Sequence, residues 1–449
     1  MTTSNIRITL LTVLATVALA CDDEGGSGSS GGGNADAFFL PTDEPDNTSA
    51  PTIEIDAAGG VHAVYPAYAG GDAFYAYCAP GCTGTDDVEV VRLETDGTVA
   101  NAMIALDASG HPQLLLSAFA NVYYATCDGD CTERASWTVS DIMKHDNKRE
   151  ITGEAFALDA EGRPRFMMHT YVAYLGIGQD APETHYVTCD ENCHDAASWT
   201  MNLVAEQIWQ STHLRFDAQG RAHAATVAMV AGENGEATQD IAAYALCDGD
   251  CSDGMNWVGN PLVPAFTSLT DVVSIDPAIA LALTKDGHPR IAVLGKEDDG
   301  TRMVAYLACD EDCDSAVWNG TSLERGDDIG PGIDIALDAD DHPRFSYTFD
   351  YNIGLAHCEA DACEHAESPW AVDKVELGGE MSPDTIFLWP NCNVGAWFLH
   401  SPSLAIGADG HARVGYQARD ISGGWSNPDP DMPDCEAGTD MTWSRLAVL

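Results

Sequence analysis

The chain has 449 residues, with 71 acidic against 20 basic side chains and a formal net charge of −51. That balance excludes nucleic acid as a partner, because phosphate binding needs clustered Lys and Arg. With 45% hydrophobic residues and ten tryptophans the chain is not disordered, and fifteen cysteines point to an oxidising compartment or to metal.

Residues 1–20 read as an export signal. Arg7 supplies a positive start, Ile8–Ala20 is apolar, and small residues precede Cys21. The apolar stretch is shorter than the about 20 residues a membrane span needs. The run Val17-Ala18-Leu19-Ala20-Cys21 resembles a bacterial lipobox, which implies a lipidated Cys21 as mature N-terminus. Cleavage after Ala20 to release a soluble protein is the other reading. Setting Cys21 aside leaves fourteen cysteines, an even number that can pair completely. Residues 21–48, rich in Gly, Ser and acidic side chains, read as a flexible tether, and residues 49–449 as the folded domain.

That domain is a repeat. A hydrophobic run, a turn of the type Asp-Ala-x-Gly-x-Pro-Arg and a second hydrophobic run recur from Asp56, Asp107, Asp159, Asp217, Thr284, Asp338 and Gly407. Two β-rich runs around such a turn predict a hairpin, and the turn glycine supplies a positive φ. The sixth copy has Asp341 there, a residue that tolerates the left-handed region.

Between these hairpins stands an aromatic run ending in Cys-x-x-x-Cys, followed by a Trp-bearing run. The pairs are Cys78 with Cys82, Cys127 with Cys131, Cys189 with Cys193, Cys247 with Cys251 and Cys309 with Cys313. Cys358 with Cys363 is one residue wider. Blade seven keeps Cys435, for which Cys392 is the remaining partner. Each unit of about 50 to 70 residues thus holds four antiparallel strands. The prediction is an all-β fold: a seven-bladed β-propeller with a C-x3-C disulfide in most blades. Blade one starts near Ser49, and Thr442–Leu449 is expected as the fourth strand of blade seven. The ring would then close by face-to-face packing of its first and last blades, as a monomer.

The cysteines are expected as structural bridges, since pairs on separate blades cannot share a zinc ion. Acidic turns such as Cys127-Asp128-Gly129-Asp130-Cys131 raise the question of calcium. The calcium-loop pattern is absent and a four-residue turn offers too few ligands, so a solvated acidic rim is the expectation, with no metal and no cofactor.

Over residues 50–449 the repeats resemble the sialidase-like (BNR-type) bacterial β-propellers, particularly exported lipoproteins with "LALD-x-x-G-x-PH-x-x-Y" hairpins. The resemblance implies a lipid-anchored protein of the outer membrane or cell surface. The arginine triad of the sialidases has no matching positions here, so no site residue is carried over.

Candidate site residues are those that break the repeat. Two residues before the turn Asp, the innermost strand carries Ala105, Ala157, Ala282, Ala336 and Ala405, but Glu54 in blade one and Arg215 in blade four. These two charges either pair through water across the channel or bind a ligand. On the loop face, His169, Tyr171, His213 and Arg215 supply the base, acid and cation of a polysaccharide lyase. Trp209 and His400 are further ligand-binding candidates, beside Trp389 and Trp397. The leading expectation is a membrane-anchored binding or scaffold module for a surface glycan or protein. The alternative is a carbohydrate-active enzyme, lyase or glycosidase.

Overall fold

In five of the seven repeats the turn aspartate closes its own hairpin. Asp56 Oδ1 accepts the Ala58 and Gly60 N–H groups at 2.8 and 2.9 Å, and Asp107, Asp159, Asp217 and Asp338 repeat the device. Gly59 takes φ +92° in this turn, and Asp341 takes +64° in blade six. The computed structural model describes residues 36–42, 48–67, 71–171, 181–231, 237–262, 267–268, 277–296, 301–326, 329–379, 381, 387–389, 392–393, 397–420 and 442–449. Cys21 and Cys435, and with Cys435 the expected bridge to Cys392, lie outside these residues, as does the export signal.

The strands assemble into seven four-stranded antiparallel blades, the β-propeller expected from the repeats. Blade one, for example, runs Thr52–Ile55, Val61–Pro66, Ala73–Cys78 and Val88–Leu93 from the axis outward. A short bridging strand, Thr267–Ser268, pairs with both blade four and blade five. Among the described residues no helix is long and apolar enough to cross a membrane.

Six disulfides close the outer hairpins of blades one to six. Cys78 is bonded to Cys82, Cys127 to Cys131 and Cys189 to Cys193. Cys247 is bonded to Cys251, Cys309 to Cys313 and Cys358 to Cys363. The first five bridges span Cα–Cα separations of 5.6 to 5.7 Å. The wider Cys358 to Cys363 ring, which departs from the C-x3-C spacing by one residue, opens this to 6.1 Å. All six sit within the range that a disulfide tolerates across a tight turn. Cys82, Cys251 and Cys363 are buried, whereas Cys193 and Cys313 are only partly covered. The bridges mark a protein of an oxidising, extracytoplasmic compartment.

The tryptophan after each of the last five pairs donates its indole N–H to the carbonyl of the second cysteine. Trp137 bonds Cys131 at 2.8 Å, Trp199 bonds Cys193 at 2.8 Å and Trp257 bonds Cys251 at 3.0 Å. Trp318 and Trp370 do the same to Cys313 at 3.0 Å and Cys363 at 2.8 Å. The same indole packs on the neighbouring blade: Tyr75 meets Trp137, Tyr124 meets Trp199, Tyr186 meets Trp257, Tyr244 meets Trp318 and Tyr306 meets Trp370, with centroids 4.7 to 5.6 Å apart. The repeated Tyr and Trp are therefore one inter-blade contact, read twice in the sequence.

Ion pairs between an arginine and a turn aspartate brace three of the hairpins. Arg165 reaches Asp159 at 2.8 Å, Arg344 reaches Asp338 at 3.3 Å and Arg413 reaches Asp409 at 2.8 Å. Where Thr284 replaces the turn acid, Arg290 turns to Asp310 instead, at 2.9 Å.

Ring closure differs from the expectation. Asp36–Phe39, inside the segment read as tether, is the fourth and outermost strand of blade seven, with Asp36 opposite Val448 and Phe39 opposite Arg445. Thr442–Val448 is therefore the third strand of that blade, and the chain's two ends hydrogen-bond to each other. The physical reason is the exposed edge that three C-terminal strands would leave: an N-terminal strand supplies the missing ladder partners.

Candidate functional site

The innermost strands of four blades are bulged, and the bulges aim side chains at the axis. Register shifts fall between Val99 and Asn101, Gln210 and His213, Ile329 and Ile333, and His400 and Ser403. An inserted residue bends a strand and redirects its neighbours. Gly332 has φ +96°, and a Cβ there would collide with the Ser401 backbone. Gly153 has φ +74°, and its Cβ would lie 2.7 Å from Ser211 C. Both positions need glycine, and each stands one or two residues before an axial carboxylate, Glu154 or Asp334.

These residues form a belt that passes once round the axis. Thr52 Oγ1 donates to Ala102 O at 2.8 Å, and Asn101 Nδ2 to Gly153 O at 3.1 Å. Leu214 N–H donates to Glu154 O at 3.2 Å, Leu281 N–H to His213 Nδ1 at 3.0 Å and Ile333 N–H to Pro277 O at 3.0 Å. Leu404 N–H donates to Asp334 Oδ2 at 2.5 Å, and Ile53 N–H to Ser403 Oγ at 3.1 Å, which returns to blade one.

A charged cluster sits on this belt. Glu154 Oε2 accepts from Arg215 Nη2 at 2.7 Å and lies 3.1 Å from His213 Nε2, which is itself 3.6 Å from Asp334 Oδ1. Ser403 Oγ donates to Glu154 Oε1 at 3.3 Å. His213 is fully buried and Asp334 nearly so, while Arg215 is about a quarter exposed. A cavity of about 40 Å³ beside Glu154 is lined by Thr52, Asn101, Ser401 and Ser403 among others.

Burial and the surplus of negative charge set the protonation states. Burial pushes the Glu54 carboxyl up to about 7; Arg215 opposes this and Glu154 adds to it. Burial also raises Asp334 well above the ordinary range, with the Glu154 charge in the same direction. Glu154 goes the other way: burial would raise it, but the facing His213 ring and the Arg215 guanidinium hold it far below. Burial drives His213 down towards the neutral form, so the permanent cation here is the Arg215 guanidinium.

The structure distributes the candidate residues unevenly. Arg215 and His213 share the axial cluster, and Glu54 lies within electrostatic reach of Arg215. His169 belongs to strand Pro164–Thr170 rather than a loop, is 2% exposed, and bonds Thr152 Oγ1 at 2.9 Å and Thr170 O at 3.0 Å. Burial depresses it to about 4. Tyr171 follows that strand, its N–H donating to Lys148 O at 3.0 Å. Trp209 also lies in a strand, Ile208–Phe216, and packs into the core against Trp257 at 6.1 Å. His400 stacks on Phe398 at 4.7 Å and meets Ser401 Oγ at 2.7 Å. The inner strands run further than the sequence pattern suggests, which turns expected loop residues into buried strand residues. The side chain of Trp389 lies outside the description.

Glu154, Asp334 and Ser403 are missing from the sequence reading, although a signal for two of them exists. Stepping four residues back from the turn, the repeat shows Thr52, Met103, Ala155, His213, Ala280, Asp334 and Ser403, so four polar side chains stand out from three apolar ones. Strand periodicity puts them on the same face as Glu54 and Arg215. Glu154 has no such signal, because only the turn at Gly153 brings it in.

No family model and no curated relative matches the chain. Among solved structures, similar folds include an ulvan lyase of polysaccharide lyase family PL25 (13% identity, 73% of this chain and 79% of that one, TM-score 0.46) and the polysaccharide lyase Uly1 (9%, 89% and 90%, TM-score 0.45). An α-L-arabinanase of Penicillium chrysogenum is a third (11%, 77% and 99%, TM-score 0.46). The likeness is one of fold, and no residue role is transferred from it.

Proposed function

We propose that the protein is an exported, lipid-anchored propeller that hydrolyses glycosidic bonds of a neutral or cationic surface glycan at its axial mouth. The observation supporting this reading is the pairing of Glu154 with Arg215 at 2.7 Å, with Glu54 close by, Arg215 and Glu54 standing where the other five blades keep alanine. Buried charge that the fold does not need marks a working site. The single guanidinium is already engaged by Glu154. A uronate substrate would therefore meet surplus carboxylates, which favours hydrolysis of an uncharged or cationic chain over elimination.

In this scheme Glu54, protonated near neutrality, gives its proton to the glycosidic oxygen as the anomeric C–O bond breaks and its electron pair moves to that oxygen. Glu154, held ionised by Arg215, takes a proton from the water whose oxygen bonds the anomeric carbon. A hemiacetal and an alcohol result, and proton exchange with solvent restores both carboxyls. The test is release of reducing ends from a panel of neutral and aminated polysaccharides. Glu54→Gln is expected to lower the rate at least about 100-fold. Products with the ultraviolet absorption of an unsaturated uronate would overturn the scheme in favour of a lyase.

A binding module without turnover is the second reading, favoured by the small size of the cavity beside Glu154. Glycan binding with no released product would select it. Anchoring rests on Cys21: Cys21→Ser is expected to move the protein from the membrane to the soluble fraction.

A further inference from the structure

The axial cluster holds one atom that the belt leaves unsatisfied. His213 Nε2 is fully buried and makes no well-aligned hydrogen bond, although Glu154 Oε2 and Asp334 Oδ1 lie 3.1 and 3.6 Å away. A polar atom buried without a bond costs about 1–3 kcal/mol, so such atoms are uncommon in a settled core. Here the atom points between two carboxylate oxygens.

The three atoms have the spacing of a metal's ligands. A zinc-class ion with bonds of about 2.0–2.1 Å in tetrahedral geometry holds its ligand atoms about 3.3 Å apart, between the two separations seen here. All three lie within 4.8 Å of one another. The other ring nitrogen can serve either tautomer, because His213 Nδ1 lies 3.0 Å from Leu281 N and 3.2 Å from Leu281 O. Without an ion it accepts the Leu281 N–H. With the proton moved to Nδ1 it donates to Leu281 O instead, leaving the Nε2 lone pair free, the arrangement typical of metal-bound histidine. The carboxylates are braced in turn: Asp334 accepts from Ile335 N at 2.7 Å and from Leu404 N, and Glu154 accepts from Arg215 and Ser403.

From this geometry we infer that Glu154, His213 and Asp334 form a binding site for one divalent transition-metal cation of the zinc class, set on the propeller axis. One imidazole with two carboxylates suits zinc or manganese; an imidazole ligand argues against calcium or magnesium. Two carboxylates and a neutral imidazole balance a divalent charge. The ion would replace an unbonded nitrogen and two crowded carboxylates with three bonds, tying blades three, four and six together. Glu154 Oε1 would stay directed at Ser403 and the cavity. The site deepens the hydrolase reading and shares Glu154 with it, but Glu54 is not a ligand, so the two can be tested apart.

The experiment uses the full chain purified with its disulfides intact, stripped with chelator and dialysed against micromolar zinc, manganese or calcium. Elemental analysis is expected to find about one zinc or manganese per chain and no calcium. His213→Asn keeps an acceptor for the Leu281 N–H and Asp334→Asn keeps one for Leu404, so the belt persists in both while metal binding is lost. His342→Asn, in the exposed triad Asp338, His342 and Glu359, should leave the stoichiometry unchanged. Cobalt substitution of the unaltered protein gives a readout independent of any variant's folding: tetrahedral d–d absorption that zinc displaces. No metal in the unaltered protein, or full stoichiometry in both His213→Asn and Asp334→Asn, overturns the inference. Glu54→Gln separates the two proposals, because it should bind the ion normally while failing to cleave glycan.

Discussion

The guanidinium of Arg445 lies 4.2 Å above the ring of Phe39, joining a strand near the start of the chain to one at its end. Arg445 also forms a buried ion pair with Glu376 of blade six, at 2.5 and 2.8 Å, so one side chain links the closing strand, its partner strand and the preceding blade.

The ring should therefore be sensitive to the strand Asp36–Phe39. Phe39→Ala removes the cation–π contact and the packing on Trp397 and Trp443, and is expected to cost about 2 kcal/mol. Deleting everything before Leu40 exposes the edge of Thr442–Val448. It should lower the thermal midpoint further and promote oligomers on size-exclusion chromatography.

Two glycines with similar φ should respond differently. Gly410 has φ +77° and open space around it, so Gly410→Ala is expected to cost about 1 kcal/mol. Gly332→Ala adds a collision with the Ser401 backbone and displaces Asp334, so its cost should exceed about 2 kcal/mol. Chemical denaturation of the two variants side by side measures the difference.

Acid should weaken the fold in a defined window. His169 is depressed to about 4 by burial, so the unfolded chain takes up its proton first as pH falls. Its contribution is complete above about pH 6.5 and lost progressively towards pH 4, up to about 3 kcal/mol. A His169→Gln variant, compared with the parent by denaturation at pH 7 and pH 4.5, should show a flatter dependence. An equal slope in both would refute the assignment.

Each small disulfide ring is expected to contribute about 2 kcal/mol by loop closure. Replacing Cys127 and Cys131 together by serine should cost that amount and also loosen Trp137, which bonds Cys131 O and packs on Tyr75. Trp137 fluorescence would be masked by the other tryptophans. Hydrogen exchange at the Trp137–Lys144 strand is therefore the measurement to make.

The blades, their hairpins and six of the bridges were legible because each arises from contacts within about 60 residues and recurs along the chain. Repetition lets one unit act as the control for the next, and Glu54 and Arg215 stood out against alanines for that reason. His169 and Trp209 were misplaced because a strand's last residues and a loop's first share the same composition.

Sequence alone thus determined the architecture, since alternation, turn chemistry and cysteine spacing are local properties. Tertiary structure decided the rest. Asp36 meets Val448, and Glu154 meets His213, Asp334 and Ser403, across separations no local pattern encodes. A closed ring brings every innermost strand to one axis, and bulges at Ser211, Gly332 and Ser401 choose which side chains arrive there.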